Sequence, residues 1–306
     1  MRFGLKGAAI VIAAGAVFAL LWTRVAPVTG QTESYRAPRT VDGRPDLSGI
    51  WQALNTANYD LQSHSARPAL ALIPAPPHTG VPGLGRSKPV ELPAQSVRAL
   101  GAVGGVPAGE GVVQGGEIPY QPWAAAQKKE NFEHWLERDP EIRCFMPGVP
   151  RATYMPYPFQ IFQSADKVLI AYEFAGTTRT IHLNEVQNNP AATWMGLSRG
   201  RWDGETLVVD VTDFNDQTWF DRAGNFHSDA LHVSERYTPV SPSHLLYEAT
   251  IEDPKVFTRP WTIRMPLYRR FEPDKKILEY KCTEFVEELL YGHLGAVDPA
   301  TGQTNK

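Results

Sequence analysis

The sequence predicts a mainly β protein: an antiparallel meander of short strands closing into a barrel or a strongly curved sheet, with one helix packed outside it. Three observations carry this. From Pro158 onward apolar residues recur with period two, the signature of half-buried strands. Residues 194–214, WMGLSRGRWDGETLVVDVTDF, place Asp203-Gly204 between two alternating runs, a strong short-range hairpin signal because both residue types tolerate positive φ. Only residues 122–138 of the body carry a clear helical spacing, in Trp123, Ala126, Glu130, Phe132, Trp135 and Leu136.

Taken in order, the chain opens with Arg2 and Lys6, then an uncharged apolar run from Gly7 to Trp22. That run is shorter than the ~20 residues of a spanning helix. Val28 and Gly30 sit at −3 and −1 of a cut after Gly30. The pattern reads as an export signal over residues 1–30. The alternative is an uncleaved anchor in the inner membrane; both put the body in the periplasm or outside the cell. Residues 31–117 are read as extended, with 66–117 irregular because they are rich in Pro, Gly, Ala and Val. Within them, Pro45 to Trp51 forms a short ordered segment that docks Trp51. Pro122 suits a first helical turn, Asp139-Pro140 ends the helix, and a Pro-punctuated connector runs to Tyr157. Strands are expected at 159–163, 167–174, 178–184, 193–202, 205–212, 230–238, 244–252, 260–270 and 275–283, within a barrel domain of 158–290. Residues 291–306 are read as a tail.

A net charge of −3 and a pI near 6.3 leave no electrostatic case for nucleic acid. Two cysteines, Cys144 and Cys282, carry no zinc or thioredoxin-like spacing. An oxidising compartment would allow a bridge between them; two buried thiols are the alternative.

Gly196-Leu-Ser198-Arg-Gly200 matches the GxSxG pattern on paper. That motif needs a strand–turn–helix elbow, and a hairpin follows instead, so Ser198 is read as a strand residue. Around the hairpin, Leu207, Val209 and Val211 form an apolar stripe facing small residues, which leaves volume for core side chains or a ligand. A ligand-binding face would draw on Trp194, Ser198, Trp202, Trp219, Tyr237 and Trp261. The densest ionisable cluster runs from Asp221 to Tyr237. Glu235 shares a strand face with Leu231, Val233 and Tyr237, so it is a carboxylate in an apolar stripe, where burial raises a pKa. Asp221 and His227 in the preceding loop would supply a base and its orienter, Glu235 the acid and Arg236 a charge stabiliser. The competing reading is an arginine–carboxylate brace, with Arg236 or Arg264 on Glu235. His227 and His232 are too loosely spaced for a metal motif, and no metal or other cofactor is expected.

Several phrases also carry a resemblance: Pro45-Asp-Leu-Ser-Gly-Ile-Trp51, Cys144 to Arg151, Gly200-Arg-Trp-Asp-Gly-Glu-Thr-Leu-Val-Val209, His227 to Leu231 with Glu235-Arg236-Tyr237, and Thr250 to Pro254. Over roughly residues 45–56 and 118–285 the chain resembles a large group of functionally uncharacterised exported proteins from proteobacteria and acidobacteria. The resemblance implies export and brings no reaction or catalytic residue. It also leads one to expect a His-Pro after the third strand, where Asn188-Asn189-Pro190 stands. The meander is similar to lipocalin-like barrels, which are mostly binders of apolar small molecules. Three functions follow: an exported small-molecule binder with an aromatic and aliphatic cavity; a metal-independent acid–base enzyme (lyase, isomerase or hydrolase) on a small apolar or sugar-like substrate; or a structural envelope protein with a filled barrel.

Overall fold

In the computed structural model, residues 35–66, 70–71, 90–91, 106–187, 191–280 and 282 are described. The expected signal, much of the Gly/Pro-rich stretch, Asn188 to Pro190 and the tail lie outside these residues. The strands are β1 (Gly49–Gln52), β2 (Leu70–Ala71), β3 (Val90–Glu91), β4 (Phe159–Gln163), β5 (Lys167–Tyr172), β6 (Thr178–His182), β7 (Leu197–Asp203), β8 (Thr206–Thr212), β9 (His232–Ser241), β10 (His244–Glu252) and β11 (Trp261–Arg269). Nine of them close a barrel in the order β1-β11-β10-β9-β8-β7-β6-β5-β4, while β2 and β3 pair separately. Among the described residues no helix is long and apolar enough to cross a membrane.

The barrel departs from the expected meander at one seam. β6 and β7 run parallel, joined through Ile181↔Ser198 and His182↔Arg199. Parity requires it. Each antiparallel pairing reverses strand direction, and one circuit of a closed ring must restore it, so a ring of odd number needs an odd number of parallel pairs. The parallel step also needs a crossover connection, which residues 183–196 supply.

Membership of the ring differs too. The closing strand is β1, which pairs with β4 and with the end of β11; the sequence reading had it only as a docking segment. Its Trp51 is buried, with Nε1 donating to the Leu47 carbonyl at 2.9 Å. Conversely, residues 275–280 are not a strand. The Leu278 N–H donates to Glu173 Oε2 at 2.9 Å, Tyr280 packs on Tyr157 and Phe174, and a Cys144–Cys282 disulfide ties the segment down. β1 covers only Tyr268 and Arg269 of β11, and Val112–Gln114 takes up the edge beside Thr262–Arg264.

The helix spans Pro122–Glu133, with a short turn Trp135–Arg138 after a break at His134. Its docking face is not the one the spacing suggested. Trp123 is 55% exposed, and the buried residues are Ala124 and Asn131. The helix sits on the turn at Gly224, where φ is +83° and an added Cβ would lie 2.7 Å from the Lys128 carbonyl oxygen and the Phe132 nitrogen. So close a backbone approach selects small side chains on the helix rather than large apolar ones.

The β7–β8 hairpin forms with a shifted turn. Asp203 pairs with Thr206 and Trp202 with Leu207, so the two loop residues are Gly204, at φ +58°, and Glu205. Face parity is preserved, and Ser198, Gly200 and Trp202 face Val211, Val209 and Leu207. The volume over Gly200 is filled by the core: an added Cβ would meet Ile181 Cγ2 at 2.6 Å and Leu183 Cδ2 at 3.0 Å. Gly200→Val is therefore expected to destabilise by about 1–3 kcal/mol through overpacking, read as a lower urea midpoint. An unchanged midpoint would mean the space is open.

Candidate functional site

Inside the barrel, β6 and β9 each carry one charge into an apolar stripe. Arg179 shares its face with Ile181, and Glu235 lies between Val233 and Tyr237. Arg179 is 3% exposed and Glu235 is fully buried. Their side chains meet in a bidentate pair: Nη1 donates to Oε1 at 3.2 Å and Nη2 donates to Oε2. Nε of Arg179 donates to Ser198 Oγ at 2.8 Å. Tyr237 and Tyr247 donate to Glu235 Oε1 at 3.0 and 2.8 Å. Burial, reinforced by the charge of Glu235, holds both phenols well above their ordinary range, so they stay protonated donors. Burial also works against the charge on Arg179, but Glu235, Tyr172 and Tyr237 together outweigh it and the guanidinium is held above its ordinary value. The brace anticipated for Glu235 is present, with a different arginine. Arg236 and Arg264 point outward, to Asp203 at 3.0 Å and Glu248 at 3.4 Å.

Asp221 and His227 do not join this group: no hydrogen bond links Asp221, His227 and Glu235 to one another. Asp221 organises the β8–β9 loop. It accepts from the backbone N–H groups of Leu61, Ala223 and Asn225 and from Asn225 Nδ2. These donors favour the charged form. Burial and the charge of Asp60 oppose it more strongly and push the carboxyl up to about 7. His227 Nδ1–H donates to the Ser228 carbonyl at 2.8 Å, since a carbonyl only accepts, and Nε2 accepts from the Thr218 hydroxyl at 2.6 Å. Burial lowers its pKa, so the imidazole is a neutral loop tie. His232 lies outside, 3.5 Å from Asp210.

The position of Asp221 has a pH consequence. Its folded pKa of about 7 lies above the ordinary Asp value near 3.9. The folded state then binds the extra proton between those values, and stability falls as pH rises. The contribution is fully present below about pH 4 and lost by about pH 7, amounting to at most ~4 kcal/mol. Asp221→Asn should flatten that slope in urea unfolding at several pH values, whatever it does to absolute stability. An unaltered slope would contradict the assignment.

The tryptophans proposed to line a cavity are dispersed. Trp194 stacks on Phe145 with ring centroids 4.9 Å apart, and Trp219 is bridged to Phe226. Trp261 is buried against Phe220 and Phe257. Trp202 packs on the barrel core, and its Nε1, like that of Trp261, is buried without a hydrogen-bond partner.

A cavity lies instead at the end of the barrel that carries the β4–β5, β7–β8 and β9–β10 turns. Residues 35–48 cross this end as a strap. The Ala37 N–H and Arg39 bind Glu205, Arg44 donates to the Ala165 carbonyl, and Gln163 donates to the Pro45 carbonyl. Beneath the strap a cavity of about 230 Å³ is bounded by Tyr35, Asp46, Trp51, Leu245, Arg269 and Phe271, among others. The Arg269 guanidinium lies 4.3 Å above the Trp51 ring, and its Nη1 donates to the Ser48 carbonyl at 2.8 Å. Its Nε is buried without a partner. Sequence reasoning missed this site, although the inward parity of Trp261, Ile263, Met265 and Leu267 extends to Arg269 and signals a charge at the barrel rim.

Comparison with protein-family models, with curated proteins and with solved structures finds no match.

Proposed function

We propose that the protein is an exported small-molecule-binding barrel whose ligand sits under the strap rather than in the barrel interior. One observation carries the reading: the strap-end cavity combines apolar walls with Arg269, whose buried Nε has no protein partner. Buried donors are normally satisfied, and a mostly apolar pocket with a few placed polar groups is the usual form of a ligand site. At about 230 Å³ it falls below the ~300–1,000 Å³ of sites for drug-sized molecules, so the ligand is small. The interior is occupied by the Arg179–Glu235 brace and by Ile181 and Leu183 over Gly200. Export is supported by the N-terminal pattern and by the disulfide, which suits an oxidising compartment.

Native mass spectrometry of the full chain, exported by a Gram-negative host and incubated with a library of small metabolites, tests the reading. One-to-one adducts are expected. Ser241→Trp, which fills the cavity from its rim, should abolish them, and Gly200→Ala, inside the barrel, should leave them. Absence of adducts, or loss of them only on the interior change, would overturn the proposal.

A further inference from the structure

Two residues of opposite charge line the strap-end cavity. Arg269 and Asp46 both line it, yet no ion pair joins them among the described residues. Each is committed instead to the backbone of Ser48. Arg269 Nη1 donates to the Ser48 carbonyl at 2.8 Å, and Asp46 Oδ1 accepts from the Ser48 N–H at 2.9 Å. The two charges are thus held apart, one at the N–H and the other at the carbonyl of Ser48. The buried Nε of Arg269 has no hydrogen-bond partner in the protein; burial disfavours the charge on its guanidinium, while the carboxylate of Asp46 favours it. Facing them are the apolar surfaces of Pro239, Leu245 and Phe271 and the ring of Trp51. A simple anion placed against Arg269 would also meet the carboxylate of Asp46, and a simple cation would meet Arg269. A ligand bearing both charges answers both groups.

We infer that the cavity takes a small zwitterion with an apolar body, an α-amino acid being the simplest, its carboxylate toward Arg269 and its ammonium toward Asp46. The inference rests on the binding reading above. Calorimetric titration of the full chain with phenylalanine, 3-phenylpropionate and phenethylamine tests it. The last two lack the ammonium and the carboxylate respectively. Phenylalanine is expected to bind at least tenfold tighter than either. Asp46→Asn keeps an oxygen for the Ser48 N–H and should erase the advantage over 3-phenylpropionate. If that variant fails to fold, the three ligands on the natural chain decide alone. Equal binding of a singly charged analogue would overturn the zwitterion and leave the binding reading standing. The same holds if none of the three binds while the metabolite library still yields adducts that Ser241→Trp removes. No binding by the three and no adducts at all would remove both.

Discussion

Glu235→Ala is expected to lower the unfolding free energy by about 3–5 kcal/mol, the usual cost of breaking a buried ion pair from one side. The change leaves the Arg179 guanidinium 3% exposed with Ser198 as its remaining strong partner, and it strips Tyr237 and Tyr247 of the acceptor they share. Replacing both charges by apolar residues of similar size, Arg179→Met with Glu235→Leu, should recover much of that loss, because the pair paid desolvation on both sides when it formed. Urea unfolding of the two variants checks the ordering. If the single variant is as stable as the natural chain, Glu235 is not a brace and the acid–base reading of this carboxylate returns.

Arg151→Met should cost a similar ~3–5 kcal/mol, for a related reason. Arg151, in the helical turn Arg151–Tyr154, is buried and binds Asp139 through Nη1 and Nη2 at 2.8 and 2.9 Å and Asn58 through Nε at 2.9 Å. It also shares Glu141 with Arg222. Burial opposes the charge on Glu141, but Arg222 and Arg151 outweigh it and hold the carboxyl below its ordinary range. Without Arg151, Glu141 keeps Arg222, but Asp139 is left a buried carboxylate whose remaining donor among the described residues is the Glu141 N–H. Arg151→Lys should restore little, since an ammonium cannot reproduce the planar fork. Thermal unfolding of both variants measures this; full recovery by lysine would show that charge alone, not bidentate geometry, is required.

What the sequence made legible follows from periodicity. Alternation located eight of the nine barrel strands, because nearly all have one face in a dry interior and one at least partly in water. It also marked Glu235 as a buried charge. The same alternation places Arg179 beside Ile181, but a pair formed across a barrel is invisible until the strands that face each other are known. β1 was missed because Gly49–Gln52 is too short to show a period, and its place depends on the gap between β4 and β11. The helix face was misjudged because its partner is the backbone of Gly224, which rewards Ala124 and Asn131 over Trp123. Asp221 and His227 stood close in sequence to Glu235, yet loop residues carry no period that fixes their direction. The strap-end cavity is assembled from the strap, the rim of β9 and β10 and the end of β11, so no single stretch announces it.

A ligand under the strap and a ligand in the barrel would touch different tryptophans. The indole N–H resonances of the tryptophans, followed in ¹⁵N-labelled protein as phenylalanine or an adduct-forming metabolite is added, report on both places at once. The Trp51 signal should shift on binding, since its ring floors the cavity beneath Arg269, while those of Trp202 and Trp261, packed on and in the barrel core, should stay in place. A shift of Trp202 or Trp261 with Trp51 unmoved would put the ligand in the barrel and overturn binding under the strap.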